Sequence, residues 1–270
     1  MSSSTYDAAH PAGRPLALVT GASSGIGLEI AKQLAGRGHD LLVVATGPGL
    51  DDAAAELQSL GAAVEQVRTD LATRDGVEDV HRAIGDRAVA FAALNAGVGS
   101  GGPFRDTDLD DDLRLIDLDV RSTVHLAKHL VRGMTARGSG RLLFTSSISA
   151  THPDAYEAVY GASKTFVQSF AKALRRELVG TGVSVTALMP GPTATNFFHR
   201  AGMDDTRIGA SDSKDDPAEV ARLGVEAALA GQEQVVPGLP NKLITAAARV
   251  LPDRVKAALH GALAAPGSGR

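Results

Sequence analysis

Val19-Thr-Gly-Ala-Ser-Ser-Gly-Ile-Gly27 is the stretch of sequence that decides the fold. It follows the apolar run Leu16–Val19 and opens a segment whose apolar residues recur at helical spacing. Gly21 permits a sharp turn, Gly25 lets the backbone approach a ligand, and Gly27 lets the helix pack closely on the strand. Because a helix N-terminus carries unpaired N–H groups, such a turn can bind a diphosphate. An ordinary tight turn is the alternative, and the sequence disfavours a P-loop because no Gly-Lys-Ser/Thr follows.

Strand-like apolar runs alternate with helical patterns along the rest of the chain. This alternation predicts an α/β protein with a doubly wound parallel sheet of about seven strands, Rossmann-like, with helices on both faces. The predicted strands lie near residues 15–20, 40–46, 63–68, 89–95, 140–146, 183–189 and 234–236. The predicted helices lie near residues 25–37, 50–60, 73–85, 108–136, 158–180 and 216–230. Ligands bind outside the carboxyl ends of such strands, where the following residues fall: Gly21, Asp70, Asn95, Ser147 and Pro190.

A second stretch carries Ser147, Tyr160 and Lys164. Tyr160 and Lys164 are four residues apart, so on a helix their side chains lie on one face. A phenol has an unperturbed pKa of about 10, and a neighbouring ammonium lowers that pKa toward the working range. Ser147 ends an apolar run and can donate a hydrogen bond to a substrate oxygen. The three residues predict proton transfer to or from a carbonyl or an alcohol, although Tyr-x-x-x-Lys alone is also typical of an amphipathic helix.

Together with the glycine turn, these residues resemble the short-chain dehydrogenase/reductase family, in its compact single-domain branch. The shared motifs stand in the family's order and cover roughly residues 15 to 240: Thr20-Gly-x-x-x-Gly-x-Gly27, Asn95-Ala-Gly97, Ser147, Tyr160-x-x-x-Lys164 and Pro190-Gly191. The resemblance implies an oxidoreductase that transfers a hydride between NAD(P) and an alcohol or ketone.

The resemblance also implies a role for each catalytic residue. Tyr160 is expected to be the general acid or base, Lys164 to lower its pKa and bind the ribose, and Ser147 to polarise the substrate oxygen. Ser146 is the competing serine, but thirteen residues before the tyrosine is the family's spacing, and this spacing selects Ser147.

Cofactor-binding residues follow from the same resemblance. Asp70 is expected to meet the adenine, Asn95 to stabilise the central strands beside the ribose, and Thr195 to hydrogen-bond the nicotinamide carboxamide. Without the resemblance, Asn95 is interpreted as a turn residue and Thr195 as a helix cap. The full expected set is Gly21, Ser23, Ser24, Gly25, Ile26, Gly27, Thr46, Asp70, Leu71, Asn95, Ala96, Gly97, Tyr160, Lys164, Pro190, Gly191, Thr193 and Thr195.

The choice between NAD and NADP depends on the end of the second predicted strand. An Asp there repels a 2′-phosphate, whereas an Arg or Lys pairs with it. The chain has Val44-Ala-Thr-Gly-Pro48, which offers neither, and Ser24 occupies the family's other basic position. The missing Asp favours NADP slightly over NAD, with Thr46 as a hydrogen-bond donor and Arg37 or Arg68 as nearby charges.

One residue departs from the family pattern. Where the family usually has an Asn in the long helix before the fifth strand, this chain has Asp119, in Leu115-Ile-Asp-Leu-Asp-Val-Arg121. In the family that Asn helps to order a water that links the lysine to solvent. An ionised Asp only accepts hydrogen bonds, and near Lys164 it favours the ammonium. We therefore expect Asp119 to belong to the catalytic group and activity to survive with an altered pH optimum.

Two other functions remain open at the level of sequence. A cofactor-binding regulatory or scaffold protein with little turnover is the first, motivated by Asp119. A non-redox reaction on the same site is the second. Retention of Ser147, Tyr160 and Lys164 favours the enzyme over the scaffold, because a sensor has no need of a proton relay.

Composition limits the remaining function classes. The chain has 270 residues, of which 44% are hydrophobic, enough for one sizeable core. A net charge of −4 gives no support for nucleic-acid binding, and without Cys there is neither a disulfide nor a catalytic thiol. No apolar stretch is long enough to span a bilayer, and residues 1–14 lack the apolar core of a secretory signal, so a cytoplasmic enzyme is expected.

The expected domain organisation is simple. We predict a disordered lead-in at residues 1–14 and a catalytic domain at 15–240. A C-terminal helix at 241–263 is expected to pack on that domain, and a flexible tail follows at 264–270. Capping the pocket, joining a subunit contact or touching a membrane surface are the helix's alternatives. The family resemblance implies a homodimer or homotetramer.

The substrate side is less determined. Residues 192–215 carry an apolar stretch, Asn196-Phe-Phe198, and Met203. These large side chains favour a small-molecule carbonyl or alcohol substrate that is partly hydrophobic, and they favour packing against the core equally well. His152 and Tyr156 lie between the catalytic serine and tyrosine, where substrate contacts are expected.

No metal site is expected. The acidic run Asp106-Thr-Asp-Leu-Asp-Asp-Asp112 lacks the Gly and Glu of an EF-hand loop and fits a helix start instead. His125 and His129 have helical metal-ligand spacing, but no flanking carboxylate or third ligand accompanies them. A packed helix face is the better interpretation of this pair.

Overall fold

Seven parallel strands form the centre of the protein. The computed structural model describes residues 13–248 and 250–269. The strands are β1 Leu16–Thr20, β2 Asp40–Ala45, β3 Val64–Arg68, β4 Val89–Leu94, β5 Gly140–Thr145, β6 Val183–Leu188 and β7 Gln234–Val235. Their order in the sheet is β3-β2-β1-β4-β5-β6-β7, and all neighbours are parallel. The order reverses between β1 and β4, so the predicted doubly wound, Rossmann-like sheet is confirmed.

Helices cover both faces of the sheet. In the described ranges they are α1 Gly25–Ala35, α2 Gly49–Ser59, α3 Arg74–Ile84, α4 Leu109–Ile116, α5 Thr123–Arg137, α6 Ala158–Glu177, α7 Phe197–Arg200, α8 Arg207–Ala210, α9 Pro217–Leu229, α10 Leu239–Ala247 and α11 Asp253–Ala264. Helices α1, α2 and α9 pack on one face, and α3, α5 and α6 pack on the other. Because both faces are covered, every residue of β4 is buried.

The long helix predicted at 108–136 changes its helical type in the middle. Helix α4 passes into a π-helical segment at Asp117–Ser122, which continues directly into α5. A π turn inserts an extra residue and rotates the side chains that follow it. Asp119 lies inside this segment and is only 1% exposed. The apolar periodicity of the sequence does not reveal such an insertion.

The single C-terminal helix predicted at 241–263 is wrong, because two helices lie there. Helix α10 ends at Ala247 and α11 begins at Asp253. Pro252 stands immediately before α11, and it explains the break: proline has no N–H to donate and disfavours a helical residue before it. Helix α10 contacts the 3₁₀ segment Ile148–Thr151, and α11 contacts α8.

The predicted lead-in lies almost wholly outside the described residues, whereas most of the predicted tail lies within them. Residues 1–12 of the predicted lead-in, and residue 270 of the predicted tail, lie outside the described residues. Within the tail, Gly269 donates its N–H to the Asp205 carbonyl at 2.8 Å, and Ser268 Oγ accepts from the Arg207 N–H at 3.1 Å. Among the described helices, none has the length and apolarity needed to cross a bilayer.

Candidate active site

The glycine-rich turn connects β1 to α1 as predicted. Gly21 and Gly25 adopt positive φ values of 68° and 57°, which favour glycine. The Gly21 N–H donates to the Val44 carbonyl at 2.8 Å and so fixes the turn against the end of β2. A Cβ atom at Gly27 would lie 2.1 Å from the Gly21 carbonyl oxygen, so only glycine lets α1 approach the turn this closely.

A cavity of about 310 Å³ opens above this turn, at the carboxyl ends of the strands. All expected cofactor-binding residues line it except Gly27, together with Ser147, Tyr160 and Lys164. Gly27 and Asp119 stand behind the cavity wall instead, against Gly21 and Lys164 respectively. The fold therefore brings the two motif groups of the sequence, more than a hundred residues apart, into one site.

Asn95 holds the ends of three central strands together. Its main-chain N–H donates to Thr20 Oγ1 at 2.9 Å, and its side-chain amide donates to the Thr20 carbonyl at 3.3 Å. The Thr145 hydroxyl donates to Asn95 Oδ1 at 3.0 Å. Asn95 thus joins β1, β4 and β5 at the floor of the cavity.

Asp70 has a partner that the sequence did not indicate. Arg114 Nη2 lies 2.8 Å from Asp70 Oδ2, and both residues line the cavity. The other carboxylate oxygen of Asp70 accepts the Ala72 N–H at 3.0 Å. Arg114 lies on α4 and places a positive charge beside the expected adenine position.

The two arginines considered near the second strand have different positions. Arg68 donates to the Gly47 carbonyl at 2.6 Å and pairs with Asp51 at 2.8 Å, so its guanidinium lies next to the β2 end. Arg37 instead pairs with Glu226 at 3.6 Å, and neither arginine is among the residues lining the cavity. Of the two, Arg68 is the one that contacts the segment after β2.

Ser147, Tyr160 and Lys164 converge beside the glycine turn. Ser147 follows β5, and its hydroxyl accepts the Ser149 N–H at 3.1 Å and hydrogen-bonds the Tyr160 side chain. Tyr160 and Lys164 lie one turn apart on α6, with the ammonium nitrogen 5.5 Å from the phenol ring centroid. The competing Ser146 hydroxyl donates to the Lys164 carbonyl at 2.9 Å, which fixes it in a structural contact.

Asp119 and Lys164 form a buried ion pair. Lys164 Nζ lies 2.9 Å from Asp119 Oδ2, and Asp119 Oδ1 accepts the Val98 N–H at 2.9 Å. Burial raises the pKa of Asp119 above its usual range, and the charge of Lys164 offsets only part of this effect.

The pKa of Tyr160 is raised, which reverses the predicted direction. Burial is the largest cause, and the negative charges of Glu157, Asp119 and Asp154 add to it. The hydrogen bond from Ser147 acts in the opposite sense. Burial and these carboxylates act against the lowering expected from Lys164, and neither the burial nor the carboxylates are visible in the sequence.

The apolar residues of the substrate side divide between the cavity and the core. The Phe197 ring lies 5.2 Å from the Tyr160 ring, centroid to centroid, and both line the cavity. Phe198 also lines the cavity, and it is buried with Met203 in a small cluster that includes Ala201 and Ala264. Tyr156 packs against the same cluster rather than lining the cavity.

Several cavity residues were missed or misjudged from the sequence. Glu157 and His260 line the cavity next to Tyr160, together with His152, where a substrate contact was expected. His260 comes from α11, far along the chain, and no spacing rule connects it to the site. For the other His pair, the statement that a third ligand is lacking is wrong: Glu78 on α3 lies 2.9 Å from His125 Nε2.

Comparisons with known proteins agree with this geometry. Residues 15–205 match the short chain dehydrogenase family. An uncharacterized short-chain type dehydrogenase/reductase of Sinorhizobium fredii is 35% identical over 219 residues, covering 79% of this chain and 86% of that protein. A cis-4-hydroxycyclohexanecarboxylate dehydrogenase of Sinomonas cyclohexanicum is 33% identical over 183 residues, covering 65% of this chain and 72% of that protein.

Solved structures extend the similarity to the whole fold. A short-chain dehydrogenase from Sphingobium yanoikuyae in complex with NADPH superposes with a TM-score of 0.79 and is 30% identical, covering 92% of this chain and 94% of that one. The structural match therefore covers most of the chain. This protein belongs to the short-chain dehydrogenase/reductase family and is an NAD(P)-dependent oxidoreductase.

Proposed function

We propose that the protein interconverts a secondary alcohol and a ketone, with Tyr160 as general acid in reduction and general base in oxidation. The observation that carries the proposal is the convergence of Ser147, Tyr160 and Lys164 in the cavity beside the glycine turn. The bound nicotinamide cofactor would supply or accept the hydride. One relative is named as a cis-4-hydroxycyclohexanecarboxylate dehydrogenase. The hydroxyl of that compound is on a ring carbon and is a secondary alcohol, which supports a secondary alcohol as the substrate here.

Each residue of the catalytic group has a separate task. In reduction the Tyr160 hydroxyl donates its proton to the substrate oxygen, and a raised pKa keeps that proton in place over a wide pH range. The Ser147 hydroxyl, which already hydrogen-bonds the Tyr160 side chain, stabilises charge on the same oxygen. Lys164, anchored by Asp119 at 2.9 Å, would bind the ribose hydroxyls and favour the phenolate when oxidation requires it.

We propose NADP rather than NAD as the cofactor. Gly21, Ser23, Ser24, Gly25 and Ile26 would hold the diphosphate, since they form the turn and the start of α1. Residues 44–48, at the end of β2, include no carboxylate that would repel a 2′-phosphate, and Thr46 lines the cavity there. Arg68, hydrogen-bonded to the Gly47 carbonyl, supplies a positive charge next to this position.

The substrate is proposed to be partly hydrophobic. Phe197 presents an aromatic ring toward Tyr160, and Phe198 closes the same part of the cavity. Arg200 and the pair His152 and His260 also line this side, so polar groups on the substrate can be accommodated there.

A homodimer or homotetramer is proposed as the working assembly. Large apolar side chains are exposed on and around α4 and α6: Phe104, Leu109, Leu113, Ile116 and Phe166. Several large exposed apolar side chains in one region are typical of a protein–protein interface. Sedimentation of the purified chain measures the state directly, and a monomer at micromolar concentration would contradict this part of the proposal.

Titration of the purified protein with NADPH and NADH, followed by nucleotide fluorescence, tests the cofactor. Tighter binding of NADPH is expected, and Arg68→Ala should reduce the preference while leaving NADH binding unchanged. Equal affinity for both would contradict the NADP assignment.

The bound cofactor then allows a test of the reaction. A panel of cyclic and aryl ketones should oxidise NADPH, and the corresponding alcohols should reduce NADP. Tight cofactor binding with no turnover on any of them would favour a regulatory protein or a non-redox reaction instead.

A further inference from the structure

A buried group of polar side chains lies beside the cavity, and none of them transfers a proton in the proposed reaction. It consists of His152, Asp154, Glu157 and His260, which we call the His152 cluster. The side chains of Asp154, Glu157 and His260 are at most 6% exposed, and that of His152 is 11% exposed. Burying two carboxylates is costly unless a positive charge compensates them. Their only ion-pair partners in the described ranges are the two imidazoles of the cluster.

Three atoms of the cluster face one another at the spacing of metal ligands. His152 Nε2 lies 3.0 Å from Asp154 Oδ1 and 3.3 Å from His260 Nδ1. His260 Nδ1 lies 3.7 Å from the same Asp154 oxygen. Tetrahedral coordination with bonds of about 2.0–2.2 Å places ligand atoms about 3.3–3.6 Å apart. The three atoms therefore match three corners of a tetrahedron without large movement.

The hydrogen bonds around His152 determine which of its ring nitrogens carries the proton. Thr151 Oγ1 lies 3.1 Å from His152 Nδ1, while its own hydroxyl donates to the Ile148 carbonyl at 2.7 Å. Thr151 Oγ1 must therefore accept from His152 Nδ1–H. This leaves the lone pair of Nε2 directed into the cluster.

His260 is oriented in the same way by a carboxylate. Its Nε2 lies 3.1 Å from Glu157 Oε2, so it donates its proton outward and leaves Nδ1 as an acceptor facing the cluster. Carboxylates that hold the outer nitrogen of a histidine are typical of metal-ligating imidazoles.

Asp154 completes a set of acceptors that lacks a donor. Neither oxygen of its buried carboxylate receives a hydrogen bond from the described residues. Gly161 leaves room for this carboxylate, because a Cβ there would lie 2.6 Å from Asp154 Oδ2. With these tautomers, two imidazole lone pairs and one carboxylate oxygen face one another, an arrangement that a positive charge between them would stabilise.

We propose that His152, Asp154 and His260 bind one divalent transition-metal ion of the zinc class, with Glu157 and Thr151 orienting the two histidines. His152 and His260 line the same cavity as Tyr160, so water or a substrate group can supply the fourth ligand. The ion's two positive charges balance the carboxylates of Asp154 and Glu157. It would also join α11 to the segment after β5 and fix one wall of the cavity. The sequence-based expectation of no metal site would then be wrong.

A proton is the competing occupant. Burial lowers the pKa of His260, but the hydrogen bond to Glu157 and the charge of Asp154 outweigh it, so the pKa is raised overall. A protonated His260 would neutralise part of the charge without a metal. Metal binding must therefore weaken as the pH falls.

A second group of ligand atoms, Glu78, His125 and His129, provides a matched control. His125 Nε2 and His129 Nε2 lie 2.9 and 3.7 Å from Glu78 Oε1 on the outer helices. Its side chains are 21–34% exposed, so water competes for them and no buried charge needs compensation.

The test uses the full chain, stripped with a chelator and titrated with Co²⁺ while the visible absorption is followed. One tight site with the intense spectrum of tetrahedral Co²⁺ is expected, and Zn²⁺ should displace it and raise the melting temperature. His152→Ala and His260→Ala should abolish the spectrum. Glu157→Gln and Thr151→Ala should weaken binding by about 10–100-fold, and His125→Ala should leave it unchanged.

Three results would overturn the proposal. Absence of tight Co²⁺ or Zn²⁺ binding by the native chain would mean that the cluster holds a proton. Loss of the site in His125→Ala but not in His152→Ala would place the ion on the outer helices. Should the cluster variants fail to fold, X-ray absorption of Zn²⁺ bound to the His125→Ala chain decides. Scattering from two imidazoles is expected there, and its absence contradicts the site.

Discussion

The cofactor side and the substrate side of the cavity are built by different means. The cofactor side is built mainly by residues 15–146, where most site residues follow the end of a strand or lie on a helix that comes after one. The substrate side is built mainly by residues 196–269, where α7 and α8 have four residues each and α10 and α11 are two separate short helices. Local sequence patterns dictate the first side, whereas contacts between distant residues hold the second.

The two sides also differ in what stabilises them. Strands β1 and β4 are buried on both faces by apolar side chains, so the cofactor side is rigid. On the substrate side Leu239, Leu243 and Val250 are 71–82% exposed, and polar contacts such as His260 to Glu157 connect its helices to the core. A region with few buried apolar contacts opens at lower free energy. Changes should therefore damage the cofactor side more severely than the substrate side.

The largest effect is expected from Tyr160→Phe, at the point where the two sides meet. Removing the hydroxyl deletes the proposed proton donor, so kcat should fall by about 10²–10⁴-fold. The phenyl ring still fills the buried space, so NADPH affinity and the melting temperature should stay close to native. Stopped-flow turnover and nucleotide fluorescence measure the two properties separately. Full activity in the variant would mean that another residue donates the proton.

Gly27→Ala tests the rigidity of the cofactor side. The added Cβ would meet the Gly21 carbonyl oxygen at 2.1 Å and Asn95 Nδ2 at 2.6 Å, so the glycine turn must shift. We expect a loss of about 1–3 kcal/mol in the free energy of unfolding, together with weaker NADPH binding.

Gly36→Ala is the matched control for that change. It lies at the other end of α1, where the nearest atom to an added Cβ is 3.4 Å away and φ is −63°. Its stability and NADPH affinity should be native. Equal effects of the two variants would show that the cofactor side tolerates a shifted turn, which would remove the contrast between the sides.

How much was predictable from the sequence follows the same division. The sheet, the glycine turn and the convergence of Ser147 with Tyr160 follow from periodicity, strand ends and motif order. The break between α10 and α11 could also have been predicted from Pro252, since proline rarely lies inside a helix. The π segment around Asp119 was not readable, because one inserted residue leaves the apolar pattern intact.

Contacts that depend on burial or on distant partners were out of reach. The raised pKa of Tyr160 results from burial and from three carboxylates, of which one is recruited by the π segment. The position of His260 beside Glu157 depends on how α11 docks, and its sequence separation carries no signal. Arg114 pairs with Asp70 across the cavity for the same reason.

Phe197→Ala tests the substrate side with a smaller expected effect. The ring lies 5.2 Å from that of Tyr160, and its loss should weaken binding of a hydrophobic ketone by about 1.5 kcal/mol, or roughly tenfold in KM. The affinity for NADPH should not change. Leu243→Ala, an exposed residue of α10, should leave KM unaltered. A fall in NADPH affinity in the Phe197 variant would show that the two sides are not independent.

The smallest effect is expected from Asp119→Asn. Asp119 lies on the cofactor side, but the substitution should change the pKa of the Tyr160 hydroxyl. The negative charge of Asp119 raises the pKa of Tyr160, and its ion pair neutralises Lys164. Replacing it by the neutral amide removes one raising influence and leaves the ammonium unbalanced, so the pKa of Tyr160 should fall. Oxidation, which needs the phenolate, should then start at lower pH. Reduction needs the phenol, so as the pH rises its rate should begin to fall at a lower pH than in the native chain.

The pH–rate profiles of both directions measure this shift, and the peak rate should stay within about tenfold, or about 1.4 kcal/mol, of native. Asp117→Asn is the control, because it removes the same charge from the same π segment at a half-exposed position paired with Arg121. Its profiles should match those of the native chain. Coincident profiles for the native and Asp119→Asn chains would mean that the charge of Asp119 does not affect the pKa of Tyr160. The proton would then be governed by burial and by the carboxylates of the substrate side.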